Sequence, residues 1–292
     1  MFVTTIFNVV VFTIAVVFIA FTGSLPAWNT AGVLWFIAAG IVTTFLGRNA
    51  LFGGISRIGS SRAASIKNTN PIVSVAIAVL FLGERLPLLA VVGAGITFFG
   101  LFLLVYEAYR QREMDPKQTG EEDVAEIALE SEALAEGGAP QNTSAAPVAM
   151  IGTLLAVCAA VFFGTGQTLR AVGIEYMPNA FLGAMIGSWT ALFSYLAMQV
   201  ALGNLQAVSK SSFGSFRLYF WLAGIGTSIG QISFFIAVTF APVSQVVVIT
   251  ASETLLTLVL AAIFVRQIET VSRRVVVAAS AVFIGAAIVS YF

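Results

Sequence analysis

Apolar residues run along this chain in continuous stretches of about twenty, separated by short polar turns. The runs lie near residues 2–21, 32–54, 60–82, 88–106, 148–169, 180–202, 218–240, 243–265 and 275–292. About 20 mostly apolar residues are enough for a helix to cross a bilayer. Nine runs therefore predict nine transmembrane helices. A transmembrane barrel would instead alternate apolar and polar positions with a period of two, and these runs do not. Connections such as Phe240-Ala241-Pro242-Val243 are so short that neighbouring helices must run antiparallel. Trp28, Tyr106, Tyr219 and Tyr291 fall near run ends, where interfacial aromatics belong. The pattern predicts an all-α polytopic membrane protein.

One stretch departs from plain hydrophobicity. Ser60 to Leu86 is long enough to span, yet it carries Lys67, Asn68, Asn70 and Pro71 in its first half and stops at Leu82-Gly83-Glu84-Arg85. A lysine at the centre of a spanning helix costs about 2.5–3.5 kcal/mol on insertion scales, so it needs a partner or a wet cavity. The stretch also recurs. At an offset of 183 residues Thr44 meets Thr227, Gly47 meets Gly230, Arg48 meets Gln231 and Ser61 meets Ser244. Beyond the next loop the offset becomes 185, and Phe98 meets Phe283 while Gly100 meets Gly285. A register held over several helices marks an internal repeat. The first half offers four helices and the second five, because nothing in the first half matches the run near 148–169.

Composition narrows the class further. Of 292 residues 59% are apolar and 10% charged, with mean hydropathy +0.97. There is no histidine and one cysteine, Cys158, so zinc, haem and disulfide frameworks are not expected, and no cofactor is. Net charge is zero, and no basic, aromatic-interleaved patch points to nucleic acid. The opening M-F-V-T-T-I-F lacks the basic start and small-residue cleavage site of a signal peptide. Residues 107–146 hold ten of the fourteen acidic residues. They read as a solvated linker, with a short amphipathic helix expected around Val124–Ala135. The chain therefore divides into a first repeat, 1–106, an acidic linker, 107–146, and a second repeat, 147–292.

Pro71 followed by an apolar run into Leu82-Gly83-Glu84-Arg85, then Gly93-Ala-Gly95 and Gly100, resembles the EamA family of the drug/metabolite transporter superfamily. That resemblance implies ten helices in two inverted five-helix repeats, a substrate cavity between them, and transport by alternating access. Three departures stand out. The first helix is missing, Phe264-Val-Arg-Gln267 replaces the L-G-E-R of the first repeat, and the linker is long and acidic. The missing helix predicts that the natural reading frame begins upstream of Met1.

Helical spacing places Lys67, Asn70 and Ser74 on one polar stripe, and the 183-residue register places Thr250, Glu253 and Thr257 on its counterpart. Thr44 and Arg48 face one way, as do Thr227 and Gln231. The expected substrate-binding set is Arg48, Lys67, Asn70, Gln231, Thr250 and Glu253. Arg48 and Lys67 sit at similar depth by helix rise, and Glu253 can balance only one of them. The excess positive charge predicts an anionic solute held by Arg48 and Lys67, with Asn70 and Gln231 orienting its neutral part. Glu253 would compete for the cations or carry a proton if transport is proton-coupled. The glycines are expected to serve helix packing, and Leu82–Arg85 reads as a helix stop with an interfacial charge pair.

The function this predicts is a secondary transporter, an exporter or exchanger of a small polar metabolite, in the cell membrane. Its partners are that solute and the lipid bilayer, and no sequence feature speaks to oligomeric state. The alternatives are a membrane-embedded enzyme or a signalling or scaffold protein. An enzyme is disfavoured because no nucleophile–base set or metal motif is present. Ten basic residues gather at one membrane face against Arg85 and Arg170 at the other, which predicts a cytoplasmic linker and an external C-terminus. The family resemblance implies the reverse.

Overall fold

The computed structural model describes residues 2–23, 28–114, 145–203, 218–253 and 273–291. All regular structure among them is helical, with no strand. The expected linker helix, Thr257 and the Phe264–Gln267 tetrapeptide lie outside the described residues. Helix α1 spans Phe2–Phe21, and α2 spans Thr30–Ala39. A π-helical segment, Gly40–Gly47, continues without interruption into α3, Arg48–Ile58. There follow α4 (Ser60–Lys67), α5 (Asn70–Phe81) and α6 (Leu88–Met114). The second half holds α7 (Ala145–Tyr176), α8 (Ala180–Ala201), α9 (Leu218–Phe240), α10 (Val243–Thr250) and α11 (Arg273–Ser290).

Among the described residues, five helices are long and apolar enough to cross a membrane, namely 3–21, 30–58, 148–176, 180–201 and 222–240. Their ends follow local chemistry. Asn29 Oδ1 accepts from the backbone N–H of Ala31 (2.9 Å) and Gly32 (3.3 Å) at the start of α2. Asn179 Oδ1 does the same for Leu182 N–H at the start of α8 (2.9 Å), as short polar side chains do at helix N-termini. Between α3 and α4 the chain turns at Gly59, with φ at 85°, a conformation that side chains resist.

The run at 60–82 is not one helix. It breaks at Asn68-Thr69 into α4 and α5, and Pro71 is the cause. It has no N–H to offer the carbonyl of Lys67, and its ring clashes with that carbonyl in a continuous helix. Asn68 N–H still bonds to Ala64 (2.8 Å) and Thr69 N–H to Ile66 (3.1 Å), closing α4. The Thr69 hydroxyl also donates to Ile66 O (2.7 Å). In the second half α10 ends at Thr250, and residues 251–252 form a turn. By the 183-residue offset, that is the same register.

Helix α7 is the hub. It packs on α2, the π segment, α3, α4 and α5, and small residues let it approach. A Cβ at Gly164 would lie 2.7 Å from Asn70 O. Helices α6 and α11, the last of each half, form a second close pair, where a Cβ at Gly93 would lie 2.9 Å from Gly285 O. In a lipid surrounding, this close backbone contact is what holds helices together. The largest core cluster joins Phe12 and Val16 of α1, Phe36 of α2, Ile174 of α7, Leu182 of α8 and Phe235 of α9. The Phe36 and Phe235 rings meet edge to face at 5.8 Å.

Helices α5 and α10 run side by side. Ala78 of α5 is buried against Val243, Val246 and Val247 of α10. At the outer end of this seam the Glu84 carboxylate accepts from Val243 N–H (3.0 Å), Ser244 N–H (3.1 Å) and the Ser244 hydroxyl. This corrects the expected charge pair within Leu82–Arg85. Glu84 caps a helix of the other half, where the exposed N–H groups and the positive end of the helix dipole favour a carboxylate.

Candidate functional site

The inner ends of α5 and α10 open onto a cavity of about 380 Å³. Arg48, Lys67, Asn70, Gln231, Thr250 and Glu253, the six residues singled out from the sequence, all line it. Thr44 and Thr227 do too. Six pairs of lining residues stand 183 positions apart: Thr43 with Gly226, Thr44 with Thr227, Arg48 with Gln231, Lys67 with Thr250, Asn68 with Ala251, and Asn70 with Glu253. The cavity thus draws matching positions from both halves.

The break between α4 and α5 shapes this wall. Lys67 is the last residue of α4 and Asn70 the first of α5, so the two reach the cavity from separate helix ends. Ser74, expected on the same stripe, does not line the cavity. It is fully buried, and its hydroxyl lies 3.2 Å from that of Thr168 on α7. Thr257 lies outside the described residues.

Opposite charges meet across the two breaks. Lys67 Nζ lies 3.5 Å from Glu253 Oε1 and donates to Asn68 Oδ1 at 3.1 Å. It also stands 5.6 Å from the centre of the Phe163 ring. Glu253 is the more exposed partner, with 63% of its side chain accessible against 20% for Lys67, so the pair holds the helix ends loosely.

Two cavity features were missed in the sequence. The first is Arg170, which the charge count assigned to a membrane face. It lines the cavity beside Arg48, with its guanidinium 5.4 Å from the centre of the Phe235 ring, within cation–π range. The apolar run ends at residue 169, but α7 continues to Tyr176. Phe163, Gln167 and Arg170 follow the i, i+4, i+7 spacing that shares one helix face, and all three line the cavity.

The second is the polar face of α1. Thr5 Oγ1 accepts from Arg48 Nη1 at 3.5 Å, and the buried Asn8 Oδ1 accepts from Ser228 (2.6 Å) and Thr227 (3.3 Å). The spacing of Thr5 and Asn8, three apart in an apolar run, was the signal available for them. Two buried polar atoms on the wall, Thr43 Oγ1 and Gln167 Oε1, have no protein partner among the described residues.

The arrangement can hold a small polar solute. Cations, amides and hydroxyls converge on a space whose apolar parts are Phe163, Phe234 and Pro71, and its volume is at the lower end of small-molecule sites. Among the described residues, no group of His, Cys, Asp and Glu is placed to hold a metal ion.

Comparison with known proteins places the chain. Residues 1–106 match the model of the EamA-like transporter family. A 64-residue stretch is 44% identical to the uncharacterized transporter YcbK of Bacillus subtilis (strain 168), covering 22% of this chain and 20% of that protein. The chain thus matches about a fifth of the relative's length. One protein of known crystal structure superposes with a TM-score of 0.64 over 99% of this chain and 88% of its own, at 17% identity. That likeness is one of fold. The five apolar spans and the family match make this a multi-pass membrane protein. The family match spans 106 of the 292 residues, and over that segment the chain is similar to EamA-like transporters.

Proposed function

We propose that the chain is a secondary transporter that carries a small anionic metabolite across the cell membrane by alternating access. The observation that carries this reading is the pairing on the cavity wall. Twelve lining positions fall into six pairs at one offset, as they would if two inverted repeats of the ten-helix type enclosed a shared site at their interface. Broken helices at that depth fit the same reading, because non-helical backbone within a membrane is tolerated where it lines a cavity. The anionic preference rests on charge. Arg48, Lys67 and Arg170 face a cavity to which the described residues supply one carboxylate, Glu253.

In the transport cycle Arg48 and Lys67 would attract the solute, and Asn70, Gln231 and Thr250 would orient it. Glu253 would release Lys67 as the solute arrives, taking up a proton if export is proton-coupled. The linker would lie on the cytoplasmic side. An impermeant thiol reagent that labels a linker cysteine on intact cells would reverse that orientation.

The decisive experiment is solute counterflow in vesicles carrying the purified chain, with anions, neutral solutes and cations tested side by side. Anion flux lost in Arg48→Gln and Lys67→Gln is the expected result. Cation flux that survives both changes but not Glu253→Gln would overturn the anionic assignment. Vesicles that exchange no solute, across a panel that includes metabolite mixtures, would overturn transport itself.

A further inference from the structure

Arg170 changes what the cavity can hold. Among the described residues, the cavity's three cations and one carboxylate leave two positive charges over. They are not equivalent. Lys67 already has Glu253 at 3.5 Å and Asn68 at 3.1 Å, so its charge is largely answered. Arg48 meets only the Thr5 hydroxyl, at 3.5 Å, and Arg170 only the face of Phe235, among the described residues. Each guanidinium has five N–H donors and cannot shed its proton, and both line the same cavity. Beside Arg170 on the same face of α7, Gln167 brings an amide oxygen with no partner among the described residues.

We infer that Arg48 and Arg170 form a dianion site, and that the cavity takes a small oxyacid with two negative charges, such as a dicarboxylate or a phosphate monoester. The fork of a guanidinium pairs two N–H groups with two oxygens of one carboxylate or phosphate. Two forks facing one cavity can therefore grip both acidic ends of a dicarboxylate, or one phosphate from two sides. The dianion cancels both charges at once, where a monoanion leaves one desolvated and unanswered. Gln167 would accept from a hydroxyl or acid proton of the same solute. The volume of about 380 Å³ restricts the class to small metabolites. Lys67 and Glu253 then stand beside the site as a loose ion pair. This inference rests on the transport reading and moves the main anion contact from Lys67 to Arg170.

The test uses the full chain purified in detergent, with thermal unfolding followed at matched ionic strength and about pH 8, where a phosphate monoester carries two charges. The probes are succinate, methyl phosphate, acetate and ethylammonium. Succinate and methyl phosphate should each raise the midpoint with concentration, while acetate and ethylammonium do no more than sodium chloride. If one dianion stabilises and the other does not, the class narrows to that one. Arg170→Gln should weaken the stabilisation about ten- to a hundredfold in concentration, the range for a lost charged hydrogen bond. Arg170→Lys should keep part of it, and Arg57→Gln, at an exposed arginine that bonds Gly53 O and does not line the cavity, should leave it intact.

Removing one of two facing cations should also raise the midpoint of the ligand-free protein. Should Arg170→Gln fail to fold, Arg170→Lys and Arg48→Lys carry the same comparison. Acetate matching succinate, or dianion stabilisation that survives Arg170→Gln, overturns the inference. Flux of the same probes in vesicles separates it from the transport reading. Dianion stabilisation with no flux leaves the site standing and overturns transport. Flux of any probe without dianion stabilisation overturns the site and leaves transport standing.

Discussion

The two halves interrupt a helix at the same register, sharing one hydroxyl bond (Thr69 Oγ1 to Ile66 O, matched by Ser252 Oγ to Ile249 O) but differing in a proline. In the first half Pro71 denies Lys67 O its hydrogen bond, and the chain resumes as α5 after Thr69. In the second half Thr254 stands where Pro71 does in the first, and hydroxyls alone bond the last carbonyls. Thr250 Oγ1 donates to Val247 O (2.9 Å) and Ser252 Oγ to Ile249 O (2.6 Å), local bonds that offer the backbone an alternative to the helix. The geometry of the break is common to both halves, but the residues displayed there are not. One break presents Lys67 and Asn70, the other Thr250 and Glu253. Matching positions with different side chains make the cavity wall asymmetric and let the opposite charges of Lys67 and Glu253 meet across it.

The sharpest way to break this comparison is at one pair of matching glycines. Gly47 and Gly230 stand 183 residues apart. A Cβ at Gly47 would lie 3.3 Å from the Phe163 ring, whereas one at Gly230, on the cavity wall, meets none of the described residues within 4 Å. Gly230→Leu should reduce vesicle flux to background while leaving thermal stability nearly unchanged. Gly47→Leu should destabilise by about 3 kcal/mol through overpacking, read as a lower midpoint in detergent. Equal effects at both sites would show that the halves are alike after all.

A smaller effect is expected at the cap between them. Glu84→Ala strips the acceptor from two backbone N–H groups and a hydroxyl, at about 2 kcal/mol, the middle of the range for hydrogen bonds to a charged group. Arg85→Ala should be close to neutral by the same thermal assay, and a large loss there would restore the charge-pair reading of Leu82–Arg85.

The smallest effect belongs to the ion pair. A double-mutant cycle on Lys67→Gln and Glu253→Gln should return a coupling of about 0.5 kcal/mol, since the carboxylate is largely exposed. A coupling several times larger would mean that the pair is a principal tie between the halves.

Much of this was legible in the sequence, and the exceptions are instructive. The apolar runs correspond to helices wherever they are described, because spanning length and continuous hydrophobicity leave few alternatives. The 183-residue register brought six polar residues to one cavity, since the repeat reports position even where residue types differ. Arg170 was lost because a hydropathy run stops at its first charge, whereas α7 continues while that charge turns inward. The break before Pro71 was readable from the proline alone, but its match at Thr250 was not, because hydroxyl competition is weak and common in helices. Glu84 was assigned to its neighbour Arg85, while its acceptors serve residues 159 and 160 positions away. Such a partner is visible only after folding.

That long-range cap has a mechanical consequence. A hydrogen bond loses most of its hold once donor and acceptor separate by a fraction of an ångström beyond contact, so a carboxylate gripping three donors allows almost no slack. While the grip lasts, the turn at residues 82–87 and the start of α10 travel as one piece, with the apolar seam of Ala78, Val243 and Val247 beneath them. In the proposed alternating-access cycle, relative motion of the halves would behave like a door hung on this edge, pivoting here and swinging widest on the far side of the cavity.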